Sequence, residues 1–135
     1  MKRSAATGLR ICLAAAIAAA PTIVLARAKI DVPVMLGGDP LFDACASSGV
    51  VSGLNPRGDG FLSVRSGPGS NYGEMDRLYN GAQVHICESR VGWMAVVYGG
   101  GSRCGVGRPW PQRLAYTGPC KYGWISSRYV TGTAG

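Results

Sequence analysis

Two segments far apart in the chain limit the possible folds more than any other feature. The first is Phe61-Leu62-Ser63-Val64-Arg65-Ser66-Gly67-Pro68-Gly69-Ser70-Asn71-Tyr72, and the second is Gly123-Trp124-Ile125-Ser126-Ser127-Arg128-Tyr129-Val130. One is a short alternating strand running into a Gly-Pro-Gly turn; the other is an aromatic strand, a small-residue turn and Tyr-Val. Together they read as the two ends of a small β-barrel. Between them the same period continues. Leu62 and Val64 oppose Ser63 and Arg65, and Ala82, Val84 and Ile86 oppose Gln83, His85 and Cys87, which nominates Leu62, Val64, Val84 and Ile86 for the core. Met94, Val96 and Tyr98 alternate with Trp93, Ala95 and Val97 in an unbroken β-prone run, the pattern of a central strand buried on both faces. Asn80-Gly81 and Val91-Gly92 mark the turns. Val50-Val51-Ser52-Gly53-Leu54 adds a short strand expected at the sheet edge, followed by a turn at Asn55-Pro56-Arg57-Gly58-Asp59-Gly60. No segment beyond the leader shows a 3.6-residue apolar stripe, so the mature domain is predicted to be all-β.

Residues 1–26 read as a secretory signal peptide. Lys2, Arg3 and Arg10 supply the positive region, Ile11 to Leu25 the apolar stretch, and Val24-Leu25-Ala26 the small residues before a cut after Ala26. An integral membrane anchor is not expected, since Pro21 interrupts a run shorter than the ~20 residues that span a bilayer. The destination is therefore secreted or periplasmic. The leader holds three of the fourteen basic residues and none of the seven acidic ones, which leaves eleven against seven, a net of +4, on residues 27–135. After Glu88 the chain carries Arg90, Arg103, Arg108, Arg113, Lys121 and Arg128 and no acid. That half is either a field for anionic partners or a plain soluble basic surface.

About 109 mature residues make one domain, which buries about two-thirds of its unfolded surface and gains from cross-linking. The mature chain has four cysteines, Cys45, Cys87, Cys104 and Cys120. Three pairings are formally possible. Cys45–Cys87 with Cys104–Cys120 is preferred, because the second pair brackets a Gly/Pro-rich excursion that needs closing. In the chain-entropy model the short loop contributes ~3 kcal/mol and the long one ~4 kcal/mol. A metal site is not expected: no Cys-x-x-Cys occurs and the spacings are wide.

Catalytic constellations are thin. The only histidine, His85, lies two residues from Cys87 without an orienting third group, and Asp59, Glu74, Asp76 and Glu88 are scattered. Gly67-Pro68-Gly69 and Gly99-Gly100-Gly101 lack the Lys-Ser/Thr of a phosphate-binding loop and read as turns. The Arg57-Gly58-Asp59 tripeptide reads as coincidence in a Gly- and Arg-rich chain. No catalytic residue and no cofactor is nominated, and the chain is read as a non-enzyme.

Residues 27–44 form an N-terminal extension, with Val32-Pro33-Val34 and Gly37-Gly38-Asp39-Pro40 holding too many breakers for a helix and no sustained alternation, so it is expected to be loose or draped until Cys45 pins it. The domain proper is 45–132. Inside it, Gly99 to Pro119 form a long insertion carrying Arg108, Pro109, Trp110, Pro111, Arg113 and Tyr116 between two cysteines. Trp110, stiffly held between prolines, is not expected in a regular strand; it either plugs the barrel's open edge or is displayed.

Residues 60–131 resemble the bacterial SH3 (SH3b) family. Leu62-Ser63-Val64-Arg65-Ser66-Gly67-Pro68 with Tyr72 is similar to its opening strand and first long loop, Leu78 with Asn80-Gly81 to the lead into its second strand, Gly92-Trp93 with Val96 and Tyr98 to its third, and the 123–130 segment to its closing one. The resemblance implies an SH3-like barrel, here with the 99–119 insertion between the third and fourth barrel strands, and a non-catalytic binding module contacting peptidoglycan or an envelope protein. It also implies a ligand laid across Tyr72, Trp93 and Tyr129, with Arg108, Arg113 or Arg128 meeting carboxylates and Trp124 in the core. The alternative is a small secreted inhibitor or protein partner using Trp110 on a cystine-closed finger. Membrane-surface binding rests on the basic half alone; nucleic acid is not expected, and the protein is read as a monomer.

Overall fold

The computed structural model describes residues 8, 10–24 and 29–134. The cut after Ala26, with Lys2, Arg3 and Leu25, lies outside them. Residues 10–24 carry no regular secondary structure, and among the described residues no helix is long and apolar enough to cross a membrane.

Eleven strands follow: β1 (Met35–Leu36), β2 (Asp39–Asp43), β3 (Ser47–Val51), β4 (Leu62–Arg65), β5 (Glu74–Leu78), β6 (Gln83–Arg90), β7 (Trp93–Tyr98), β8 (Pro109–Trp110), β9 (Leu114–Ala115), β10 (Lys121–Ser126) and β11 (Val130–Ala134). Single 3₁₀ turns at Gly101–Cys104 and Ser127–Tyr129 complete the elements. The fold is all-β, as the alternation predicts. Seven strands form one antiparallel sheet in the order β11-β3-β6-β7-β10-β4-β5. β3 is not the expected edge strand: β11 returns along it and pairs Val130 with Val51 and Thr131 with Val50. The two segments that opened the sequence argument are neighbours, with Trp124 of β10 opposite Arg65 of β4.

The sheet has a core on each face. Val51, Leu62, Val64, Leu78, Val84, Ile86, Val96, Tyr98 and Ile125 fill the barrel. Val34, Leu36, Ala44, Ala95, Val97, Val106, Tyr116 and Trp124 fill a second core on the outer face, together with Cys45 and Cys104. Consecutive side chains of β7 therefore enter different cores, and its continuous apolar run is explained.

The second core needs a cover, and the N-terminal extension and the insertion supply it jointly. β1 pairs with β9, matching Met35 with Ala115 and Leu36 with Leu114, and β2 pairs with β8, matching Asp39 with Trp110. Ahead of β1, Val32 donates its N–H to the Ser66 carbonyl at 2.7 Å, and Tyr116 donates to the Val34 carbonyl at 2.8 Å. The extension is thus not loose: it lies over the second core as a paired layer, and Val34 and Leu36 are each only 1% exposed. Partners distant in sequence satisfy its backbone and replace the periodicity it lacks.

Both disulfides lie in this layer, pairing Cys45 with Cys87 and Cys104 with Cys120. The first ties the end of the extension to β6. The second closes the insertion, where a side chain on Gly100 would place its Cβ 2.4 Å from the Cys120 sulfur. Only glycine fits there.

Candidate functional site

Directly paired residues of an antiparallel sheet share a face, so its ladder shows which side chains form rows. Arg90 lies opposite Trp93, Trp93 opposite Ser126, and Ser63 opposite Arg77. Since Trp124 faces Arg65, stepping two residues along each strand brings Ser126 opposite Ser63. The result is a row across the outer face: Arg90, Trp93, Ser126, Ser63, Arg77. The neighbouring row, Ala95 and Trp124, lies beneath the second layer. The Trp93 row is the margin that the cover leaves open.

There a hollow of about 280 Å³ is lined by Leu62, Ser63, Arg65, Ser70, Trp93 and Ser126. Trp93 is half-buried, packed against the second core and facing the hollow. Arg65 is anchored by a 2.8 Å hydrogen bond from Nη1 to the Tyr72 carbonyl. Ser63 donates its hydroxyl to Glu74, which with the Arg77 guanidinium holds that carboxyl below its usual range. Arg77 pairs with Glu74 at 2.7 Å and lies over the Phe61 ring, 3.9 Å from its centroid. At the other end Arg90 bonds Glu88 at 2.8 Å and covers the buried Trp124 indole at 4.7 Å. Arg113 approaches the same glutamate at 3.6 Å, so the insertion meets the row through Glu88.

Of the nominated residues, Trp93 and Arg113 thus come to one region. Tyr72 contributes its backbone, while its ring lies against Gly67, where a Cβ would come 2.3 Å from the ring, and beneath the Lys29 ammonium at 4.6 Å from its centroid. Tyr129 packs on the barrel core instead, with Arg128 over its ring. Trp110 belongs to another hollow, of about 330 Å³, with Arg108, Pro109, Pro111, Gln112 and Leu114. Contrary to the sequence expectation, it sits in a strand, the short β8, because β2 supplies a pairing edge that prolines at both sides do not block. It is half-buried: Nε1 donates to the Gly105 carbonyl at 3.0 Å and the ring stacks on Tyr116, 6.4 Å between centroids. Trp110 therefore packs on the second core and does not plug the barrel's open edge.

The expected aromatic strip is therefore divided between hollows. Arg65, Ser63, Ser70 and Ser126, which line the open one, were not nominated. Their signal was present in the alternation that sets Ser63 and Arg65 opposite the core residues Leu62 and Val64, but only pairing with β10 shows which polar positions converge. The basic half is also less free than its composition suggests, since Arg90 and Arg113 meet Glu88 and Lys121 meets Asp76 at 3.1 Å. His85 directs Nε2 at the Gly101 carbonyl, 3.2 Å away, and Cys87 is oxidised, so no thiolate is available to it. A further hollow, of about 570 Å³, opens beside His85, Gln83 and Tyr98 and has no acid, lysine or arginine in its lining. Among the described residues no group of three or more His, Cys, Asp or Glu side chains is arranged to hold a metal.

The barrel and the Trp93 margin give a small β-barrel with an open hollow on its outer face. The profile of the family described as the bacterial SH3 domain matches residues 60–131, and the chain belongs to that family. No curated protein and no solved structure matches it. Bacterial SH3 domains are generally binding modules, often for cell-wall components. The matched span omits the extension and β3.

Proposed function

We propose that this domain acts outside the cytoplasm as a non-catalytic module that binds peptidoglycan through the Trp93 hollow. The observation that carries the reading is the convergence of one half-buried indole, the hydroxyls of Ser63, Ser70 and Ser126, and the Arg65 guanidinium in a single open hollow. Indole faces stack on the C–H faces of sugars, hydroxyls exchange hydrogen bonds with sugar hydroxyls, and a guanidinium donates to carboxylates. The leader at residues 1–26 supports export to a secreted or periplasmic location, and the two disulfides fit an oxidising compartment.

Co-sedimentation of the oxidised mature domain with purified peptidoglycan tests this. Retention is expected at low salt, and Trp93→Ala should weaken it about tenfold, the scale of one lost aromatic stack. Absence of retention at low salt, where electrostatic help is greatest, overturns the proposal. A second reading has its own support. Leu41 and Phe42, exposed on β2, lie on the ribbon that carries Trp110, and a protein partner could use that surface. Under it, Trp110→Ala abolishes capture of an envelope protein while Trp93→Ala leaves capture intact.

A further inference from the structure

Resting on the wall-binding reading, we infer that the Trp93 hollow takes the sugar backbone of the polymer and that Arg65 receives a carboxylate carried on it. The ligand class is a glycan strand whose lactyl carboxylates are free, their stem peptides removed.

Three observations converge. The first is where the hollow lies. One mode of peptide recognition adds an extended peptide to a strand edge, where main-chain donors and acceptors are unpaired. The Trp93 row crosses β7, β10 and β4; β7 and β10 pair along their whole length from Trp93–Ser126 to Tyr98–Lys121, and β10 meets β4 at Trp124–Arg65. A peptide laid there meets side chains alone. A glycan needs nothing else, since its hydroxyls both donate and accept and its ring faces are apolar. Neighbouring strands are about 4.8 Å apart, so Trp93, Ser126 and Ser63 span roughly 10 Å, room for about two linked pyranoses.

The second is the state of Arg65. Arg77, Arg90 and Arg113 each have a glutamate partner, whereas Arg65 makes no ion pair among the described residues. Its fixed partner is the Tyr72 carbonyl, a neutral acceptor that orients the guanidinium without cancelling its charge. Glu74 lies opposite Arg65 on β5 and feels its charge but spends its bonds on Ser63 and Arg77, so the Arg65 fork keeps donors to spare for a carboxylate.

The third is direction. Arg65 stands two residues from Ser63 on the same strand, beside the row and not in it, and it also lines the adjoining hollow of about 290 Å³ under Asp31, Val32 and Tyr116. A substituent branching from a sugar held by Trp93 and Ser126 would point that way. A lactyl carboxylate is such a branch.

The test uses the mature oxidised domain and four probes: intact sacculi, glycan strands stripped of peptides by an amidase, the same strands with their carboxylates converted to methylamides, and the soluble stem peptide. Stripped strands should bind about tenfold more tightly than intact sacculi, in which most lactyl carboxylates are tied up as amides to stem peptides. Methylamidation should weaken strand binding about tenfold, the scale of one charge-assisted contact. Arg65→Gln should show the same loss and no longer distinguish the two strand preparations, with Arg65→Lys in between. Because methylamidation alters only the ligand, that arm stands even if Arg65→Gln loosens the first loop. Equal binding of free and methylamidated strands overturns the inference, as does competition by stem peptide without binding of stripped strands; in both cases retention on sacculi leaves the wall-binding reading in place. Failure of sacculi and strands alike removes both.

Discussion

The barrel core and the second core share β7 and β10 yet are built on different principles. Barrel residues come from strands with clear alternation, so each local choice of residue agrees with the global pattern. The second core draws on Val34 and Leu36 before the family span, Ala95, Val97 and Trp124 from the outer face of the sheet, and Val106 and Tyr116 from the insertion. Its covering strands β1, β8 and β9 have two residues each. Such strands hold no structure alone, so they depend on distant partners and on cross-links. The comparison teaches that an added layer can bury part of a barrel's outer face and leave the rest open: the cover hides Ala95 and Trp124 and stops short of the Trp93 row.

The largest effect that would sharpen this contrast is expected from Trp124→Ala. Removing a fully buried indole should cost about 3–5 kcal/mol, and amide exchange should rise first in β1, β8 and β9. Equal loss of protection in β4 and β5 would mean that the two cores unfold as one. Next is the Cys104–Cys120 link, which closes a loop of sequence separation 16. Its double serine variant should lose about 3 kcal/mol by denaturant titration while the barrel keeps a cooperative transition. Loss of the barrel's own cooperative transition would refute the division.

A finer comparison uses adjacent side chains. Val96 and Val97 are both fully buried, one in each core. Alanine at either should cost about 2 kcal/mol, with Val96→Ala raising exchange across the barrel and Val97→Ala chiefly in the second layer. The smallest effect concerns acid. Asp76 accepts from the Arg77 N–H, the Lys121 ammonium and the Tyr98 hydroxyl, and its pKa is lowered by these bonds, the first most strongly. A depressed folded pKa gives stability that is present above the unfolded value of 3.8 and lost as pH falls through the lower folded value. Thermal unfolding at pH 5 and pH 2.5 should show that loss, and Asp76→Asn should reduce it. An unchanged pH dependence in the variant would show that other carboxylates govern acid unfolding.

Much of this molecule was legible before its structure. The period-2 pattern nominated Leu62, Val64, Val84 and Ile86 for the barrel, the double-faced run located β7, and Trp124 and both disulfides took their expected places. The candidate site was half legible. Trp93 was chosen, but it was grouped with Tyr72 and Tyr129, whose rings turn to Gly67 and to the barrel core. Chemical type marks an aromatic ring as able to bind; it does not say which neighbour covers it.

The sequence by itself determined the all-β class, the barrel strands, the cysteine framework and the family, because strand alternation, turn glycines and motif order are local properties that survive in one dimension. The tertiary structure alone decided that the extension would be a layer, that Trp110 would join β8, and that Arg65, Ser63, Ser70, Trp93 and Ser126 would share one hollow. Those outcomes depend on register between strands far apart in sequence and on backbone hydrogen bonds completed by distant partners, and neither leaves a periodic trace in the chain.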